Sequence, residues 1–332
     1  MRAVVIEQPG EIKVSTVDDP APSPGQVVVE VSACGICGTD IHIIDGEFAP
    51  TPYPIVPGHE FAGTVVALGA GVGTLAEGDL VAVDPSLFCG KCHFCAIGKG
   101  NLCENWNAIG VTTNGACAEY ALAPAENCYR LPEGVDVRQA ALIEPLSCAV
   151  RGFDLLPRRL GEHYLIYGAG TMGLLMQQLA RTAGAGSVSV VDLNTDRLAT
   201  SAKLGADATA TSADDLDRPA GWEVVIDCTG VVAAIEDALT RVRRGGTYQQ
   251  FGVAPAEAMA SFSPFRLYND EITMVGSMAV LHSYGRAVEL MGRGVVDADT
   301  MISHAMSLNN YLQAVDMFRA STGRKLQVRP GS

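Results

Sequence analysis

Hydrophobic positions along the chain fall into two textures. Up to about residue 144 there are short β-type runs, "AVVIE", "QVVVEVSACGIC", "FAGTVVALG" and "DLVAV", each cut by Gly or Pro. Such runs predict half-buried strands, so this part reads as all-β with long loops. The stretch "DDPAPSPGQ" (18–26) is a turn between strands rather than a linker. From about residue 160 the pattern alternates. Apolar strands "HYLIYGAG", "SVSVVDL", "WEVVIDCTG" and "GTYQQFG" are separated by "TMGLLMQQLARTAGA", "TDRLATSAKLGA" and "VAAIEDALTRVRR", whose apolar residues have helical spacing. Strand–helix alternation predicts a parallel sheet with crossover helices. A last strand, "EITMVGSM", precedes a helix, "SYGRAVELMGRG", that would return the chain to the first domain. The expectation is an α/β protein, with a β-rich domain over 1–144 and 279–332 and a doubly wound parallel sheet over 145–278.

Composition narrows the function classes. With 332 residues the chain can build two domains, each with a sizeable core. A net charge of −14 repels phosphate backbones and argues against a nucleic-acid partner. No apolar run is long enough to span a bilayer, and no basic amphipathic stretch suggests a membrane surface. The opening "MRAVVIEQPGEIKV" reads as strand and turn rather than a signal peptide. The expected location is therefore the cytoplasm, where thiols stay reduced.

"YLIYGAGTMG" sets Gly168, Gly170 and Gly173 in the pattern G-x-G-x-x-G, between an apolar strand and a helix. In that context the glycines allow a tight turn, a close approach of backbone to pyrophosphate and close helix–strand packing. The helix N-terminus then offers unpaired N–H groups to the phosphates. Asp192 ends the next strand, 19 residues beyond Gly173. A carboxylate there binds ribose hydroxyls and repels a 2′-phosphate, which selects NAD over NADP. Arg197 is the opposing signal, since a nearby arginine accepts that phosphate.

Ten cysteines are present, and Cys89, Cys92, Cys95 and Cys103 crowd into "CGKCHFCAIGKGNLC". Thiolates at such spacing wrap a tetrahedral zinc, and four of them leave no open position for substrate. This lobe, about residues 85–105, is therefore read as a structural zinc site. Disulfides are disfavoured by the compartment, and an iron–sulfur cluster is the rival metal reading. Chemistry must then come from elsewhere. "VSACGICGTDIH" offers Cys34, Cys37 and His42, "VPGHEFAG" offers His59 and Glu60, and "ALIEPLSC" offers Glu144 and Cys148.

"GHEFAGTVVALGAGV" fits G-H-E-x2-G-x5-G-x2-V through Gly58, His59, Glu60, Gly63, Gly69 and Val72. With "CGICGTDIH", the four-cysteine lobe, "EPLSCA", "GAGTMG" and "VVDLN" in this order, essentially the whole chain resembles the zinc-containing alcohol dehydrogenases. These belong to the medium-chain dehydrogenase/reductase superfamily, and the sorbitol and polyol branch is the most similar. The resemblance implies a GroES-like catalytic domain and a Rossmann coenzyme domain. It implies two zincs per chain, with Cys37 and His59 the first two ligands of the catalytic one. Where simple alcohol dehydrogenases place a third cysteine, this chain has Glu144, with Cys148 as competitor. Glu60 would also ligate or approach the metal, and direct, water-mediated and exchanging ligation all remain open.

Asp40 matches the carboxylate that orients the ligand histidine, although it also suits a helix cap. Thr39 and His42 match a relay for the alcohol proton, and His42 also suits an exposed helix position. Met172, together with Val253 in "QFGV" and Ser277 in "VGSM", matches stretches that hold the cofactor. The implied reaction is zinc-dependent, NAD-linked oxidation of a secondary alcohol, best a polyol, to the ketone. Sugar-alcohol phosphates, cyclitols, L-threonine and simple alcohols are the alternatives. Gly38 departs from the arginine common in simple alcohol dehydrogenases, and Phe48 would line the pocket or pack in a loop. The "ITMVGS" edge strand suggests a homodimer or homotetramer. A non-catalytic NAD- and zinc-binding protein on the same fold is the reading from a different class.

Overall fold

Side chains of β1 (Arg2–Gln8) alternate between two cores. Val4 and Ile6 enter one, while Ala3 and Val5 meet Val56 and Ala118 in the other. The period of two that marks the strand in the sequence thus has both faces buried. The computed structural model describes residues 1–48 and 50–331. The chain forms two units, one of Met1–Ser147, Val280–Gly294 and Met301–Ser332, the other of Cys148–Ala279 and Val295–Thr300.

In the first unit β2 (Glu11–Thr16) pairs antiparallel with β1. Further strands are β3 (Gln26–Gly35), β4 (Glu60–Leu68), β5 (Leu80–Val83), β6 (Ser86–Leu87), β7 (Asn107–Ala108), β8 (Tyr120–Pro124) and β9 (Cys128–Arg130). The second unit holds β10 (His163–Tyr167), β11 (Ser187–Val191), β12 (Ala208–Ala210), β13 (Trp222–Asp227), β14 (Val242–Gln250) and β15 (Thr273–Gly276). The chain then returns to the first unit with β16 (Ile302–Met306) and β17 (Lys325–Val328). The main sheet of the first unit runs β16-β17-β3-β4-β5-β9, with β8 also on β3. Its register places Gly35 opposite Glu60 on one side and opposite Gln327 on the other.

Helix α1 (Gly38–Asp45) follows β3, and α2 (His93–Ala96) lies in the cysteine-rich loop. Helix α3 (Ile143–Asp154) is not announced by the sequence pattern, because Pro145 in its first turn reads as a breaker. Proline is tolerated there, where its missing N–H would have no intrahelical partner. The break between units falls inside α3, at Ser147, three residues beyond the boundary read from texture. Val295–Thr300 also joins the second unit. There Asp297 N donates to Gln178 Oε1 at 2.8 Å and Lys203 Nζ to Thr300 Oγ1 at 3.0 Å.

The second unit is one parallel sheet in the order β12-β11-β10-β13-β14-β15. This is the doubly wound Rossmann order, and the order in which the strands are laid down reverses between β10 and β13. Helices α4 (Thr171–Thr182), α5 (Thr195–Lys203), α6 (Val232–Arg241) and α7 (Pro264–Asn269) belong to this unit. Helical spacing extends to Arg244 in the sequence, yet α6 ends at Arg241. Val242 is instead drawn into the sheet, buried opposite Trp222. No helix among the described residues is long and apolar enough to cross a membrane.

Helix α8 (Tyr284–Gly292) is part of the first unit. Its buried Tyr284 hydroxyl donates to Val83 O on β5 at 2.8 Å. Tyr284→Phe leaves that buried carbonyl short of a donor and is expected to lower stability by about 1–2 kcal/mol. Urea unfolding, read as a lower midpoint at unchanged slope, checks this.

Candidate active site and metal centres

Cys37 is the N-cap of α1, with extended backbone at φ −123° and ψ 161°. Asp40 closes the first turn, and its Oδ2 accepts from Cys37 N at 2.8 Å. That bond fixes the sulfur at the end of β3. The other oxygen, Oδ1, stands 3.7 Å from His59 Nδ1, beyond hydrogen-bond length. Both atoms are buried without a hydrogen-bond partner. Asp40 therefore caps the helix and faces the imidazole at once.

His59 and Glu60 stand where the chain enters β4. Gly58 just before them has φ +100°, and a Cβ there would come within 2.6 Å of Cys34 Sγ and 2.7 Å of Cys117 Sγ. Only glycine lets the "GHE" turn pass this close to the two sulfurs. One ligand atom each from Cys37, His59 and Glu60 lies within 4.8 Å of the others. A thiolate, an imidazole and a carboxylate suit zinc, and three protein ligands leave a position open. The electrostatics favour a cation. Burial by itself would lower the pKa of His59, but Asp40, Cys37 and Glu144 together carry it well above the ordinary histidine value. Burial raises the Asp40 carboxyl, against the pull of His59 and the Cys37 amide.

Glu144 is buried in the first turn of α3, and its charge acts on both His59 and Lys325. It stands outside the three-residue group. Cys148, one helical turn later, belongs to the second unit. Thr39 Oγ1 lies 3.8 Å from Cys37 Sγ. His42 follows three residues on, on the same face of α1. Its Nδ1 is 2.7 Å from Glu47 Oε2, and both side chains reach solvent. Phe48 packs against the core of the first unit.

Lys325 is the residue that sequence reasoning missed. It opens β17 with 3% of its side chain exposed, forms an ion pair with Glu60 Oε2 and donates to Ile36 O at 3.0 Å. Burial works against its charge, but Glu60 and Cys37 more than compensate and raise its pKa. The available signal was a lysine opening the otherwise uncharged run "KLQV". Its partner follows only from the β17–β3–β4 register.

In the second cluster the sulfurs of Cys89, Cys92, Cys95 and Cys103 lie within 4.8 Å of one another. All ten cysteines are free, so no disulfide framework exists. Cys92 Sγ and Cys103 Sγ are 3.9 Å apart. Tetrahedral zinc with Zn–S of about 2.3 Å requires sulfurs about 3.8 Å apart. Backbone amides already point at the sulfurs. Cys103 Sγ accepts from Cys89 N and Asn105 N, both at 3.3 Å. The amides of Lys91 and Cys92 bring the Cys89 thiol down to about 6, and those of Cys95 and Glu104 lower Cys92. Desolvation and the neighbouring sulfurs push Cys95 up to about 12.

In the second unit Gly168 has φ +96° and Gly170 is the N-cap of α4. A Cβ on Gly173 would lie 1.7 Å from Gly168 O, so the first turn of α4 packs directly on the loop. Met172 is half-buried in that turn. Asp192 follows β11. Its Oδ2 accepts from Ala169 N at 2.6 Å and its Oδ1 from Asn194 N at 2.8 Å. Arg197 reaches toward the same loop, its Nη1 3.9 Å from where a Gly170 Cβ would be. The loop after β13 flanks Gly168 through Thr229. Buried Asp227 organises that loop, accepting from Thr229 N and Oγ1, Gly230 N and Gln250 Nε2. The Asp-x-Thr-Gly sequence was its unused signal. Val253 is exposed, and Ser277 N donates to Gln250 O at 3.2 Å. The loops at the switch point and the α4 N-terminus, which no side chain caps, fit a dinucleotide.

Comparison with known proteins agrees with both units. Residues 23–133 match the alcohol dehydrogenase GroES-like domain and residues 171–293 the zinc-binding dehydrogenase family. The chain is 36% identical to D-arabinitol dehydrogenase 1 of Uromyces fabae, over 99% of this chain and 97% of that one. It is similar to a structure described as a zinc-binding dehydrogenase of Sinorhizobium meliloti 1021 bound to NADP (35% identity, TM-score 0.94, 99% of each chain). An alcohol dehydrogenase structure from Escherichia coli CFT073 complexed with NADH is 27% identical, with TM-score 0.91 and 99% of each chain covered.

Cys92→Ser removes one of four sulfurs from a loop with little core of its own. It is expected to lose one zinc equivalent per chain and to lower the melting temperature by several degrees. Metal analysis beside a thermal scan checks both.

Proposed function

The chain belongs to the zinc-binding alcohol dehydrogenase family, and on that premise we propose that it oxidises a polyol at a secondary carbon with NAD as hydride acceptor. The observation that carries the reading is the carboxylate-rich first cluster, in which Glu60 joins Cys37 and His59 while Glu144 is buried close enough to act on the imidazole. Similarity to a D-arabinitol dehydrogenase supports the same substrate class.

A zinc ion held by Cys37, His59 and a carboxylate would supply Lewis acidity toward the alcohol oxygen, and a bound nicotinamide would supply the hydride acceptor. Asp40 orients His59. The Thr39 hydroxyl takes the alcohol proton as it hands its own onward, and His42 receives a proton from this relay and releases it at the surface beside Glu47. Asp192 spends one lone pair of each oxygen on backbone amides and keeps the others for ribose hydroxyls. Its charge disfavours a 2′-phosphate, although Arg197 opposes it. Ten free cysteines suit a reducing compartment, and the cytoplasm is the proposed location.

The protein works as a homodimer in this reading. Edge strand β15 is exposed and carries exposed Met274, and exposed Phe262, Phe265 and Tyr268 precede it in the chain. Such an edge is satisfied by antiparallel pairing with a second copy across a two-fold axis.

Three expectations follow from this reading. In a panel of sorbitol, xylitol, arabitol, galactitol, their phosphates, inositols, L-threonine and simple alcohols, a polyol should give the highest kcat/KM, with NAD favoured at least tenfold over NADP. Cys37→Ser should abolish turnover while NADH binding, followed by fluorescence, is unchanged; surviving turnover would overturn the zinc reading. Light scattering should show a dimer, and Met274→Asp, which sets like charges against each other across the axis, should give a monomer.

A further inference from the structure

A cavity of about 530 Å³ opens within the second unit, between the β12–β13 connection, the end of α6, the start of β14 and Arg266 of α7. Its volume falls in the range of small-molecule sites, about 300–1,000 Å³. Trp222 lines it and opens β13, whereas Asp227, which organises the nucleotide side, closes the same strand. Six residues of strand, about 16 Å, separate the two places. Nucleotides bind at the carboxyl ends of such strands, so a cavity at the amino end of β13 is not part of that site. The loop is shaped to leave the space open. Gly221 has φ +79°, and a Cβ there would lie 2.5 Å from Arg241 O.

The lining holds donors and acceptors in balance. Trp222 is 3% exposed, and its buried indole N–H has no acceptor among the described residues. Such an orphaned donor is costly unless its acceptor comes from outside the chain. Half-buried Arg218, Arg241 and Arg266 also line the cavity, and each already faces a carboxylate. Arg218 has Glu223, Arg241 has Asp214 and Asp237, and Arg266 has Asp270. Their charge is matched, but a guanidinium has more N–H groups than these pairs use. Exposed Asp214, Asp215 and Asp217 complete the polar lining, so three arginines face three aspartates. A phosphate or carboxylate would meet guanidiniums already paired and aspartates that repel it. An ammonium would meet the indole and guanidinium N–H groups. A hydroxyl both donates and accepts, and suits every wall.

We propose that this cavity is an accessory, non-catalytic binding site for a neutral polyhydroxylated molecule of the sugar or sugar-alcohol class. Hydroxyl oxygens of the ligand accept from the Trp222 indole and from the remaining guanidinium N–H groups. Its hydroxyl protons go to the aspartates at the mouth. Leu216, Pro219 and Ala220 offer apolar contact to the carbon chain. The site lies in the second unit and uses neither metal cluster, so it stands apart from the zinc reading.

The chain has two tryptophans, Trp106 and Trp222, so an ¹⁵N-indole-labelled sample gives two indole N–H signals and Trp106→Phe assigns them. Sorbitol, D-arabitol, D-glucose, inorganic phosphate and ethylene glycol are titrated in turn. At least one of the first three is expected to move the Trp222 indole proton downfield with saturation, as an N–H does on gaining an acceptor. Ethylene glycol at equal mass concentration should leave it in place. Arg218→Met, which removes donors, should weaken binding by at least about tenfold. Ala220→Phe, which fills the cavity from an exposed position, should abolish it at an unchanged melting profile. Cys37→Ser should bind as wild type does. No saturable shift with any of the three, or the same shift with ethylene glycol, would overturn the proposal. Saturation by phosphate alone would make the cavity an anion site and overturn the ligand class. Binding that survives Ala220→Phe would place the ligand elsewhere, and this variant decides alone if Arg218→Met does not fold. Loss of the shift in Cys37→Ser would trace it to the metal site and equally overturn the proposal. Inactivity toward every alcohol beside a saturable shift at Trp222 would overturn the proposed reaction and leave this site standing.

Discussion

Like charges crowded into a buried place dominate this structure. Cys37, Asp40, Glu60 and Glu144 gather around His59 at one end of a sheet, and Lys325 is the cation that faces them. Two unit charges 4.8 Å apart repel by about 3–4 kcal/mol at an effective dielectric near 20. No single helix or loop can supply the compensation. The register of β3 between β4 and β17 does so, setting Glu60 on one side of Gly35 and the strand that carries Lys325 on the other. What remains uncompensated, including the orphaned faces of Asp40 and His59, is a standing demand for a divalent cation.

The two metal clusters meet the same demand in different ways. In the cysteine lobe, amides of the loop itself surround the sulfurs, and few side chains are buried. A metal there replaces a missing core. In the other cluster the protein core is complete, and the ligands are held by capping, strand register and an ion pair. Four converging sulfurs suffice to enclose an ion, whereas the three ligand atoms of the other cluster leave a coordination position open.

Local chemistry was legible in the sequence. Spacing alone gave the four-sulfur lobe and the Gly168–Gly173 turn, and alternation gave the parallel sheet. Long-range pairing was not legible. Lys325 bears no local mark of its partner, because its role is created by strands from opposite ends of the sequence. Helix α3 was hidden by Pro145, whose meaning depends on whether it falls in a first turn or an interior. The β-branched Val242 could end a helix or begin a strand, and only Trp222 across the sheet decides between them.

The first unit is assembled from segments on both sides of the second, and this has a consequence for biosynthesis. In the chain, 289 residues separate Ile36 from Lys325. At ordinary translation rates that interval lasts roughly 15 to 60 s. Throughout it the sulfur, imidazole and carboxylates of the first cluster exist without their counter-ion, while the Rossmann segment, contiguous over most of its length, emerges whole. The metal centre is therefore completed after the domain that carries the nucleotide, and β17 acts as the late clasp.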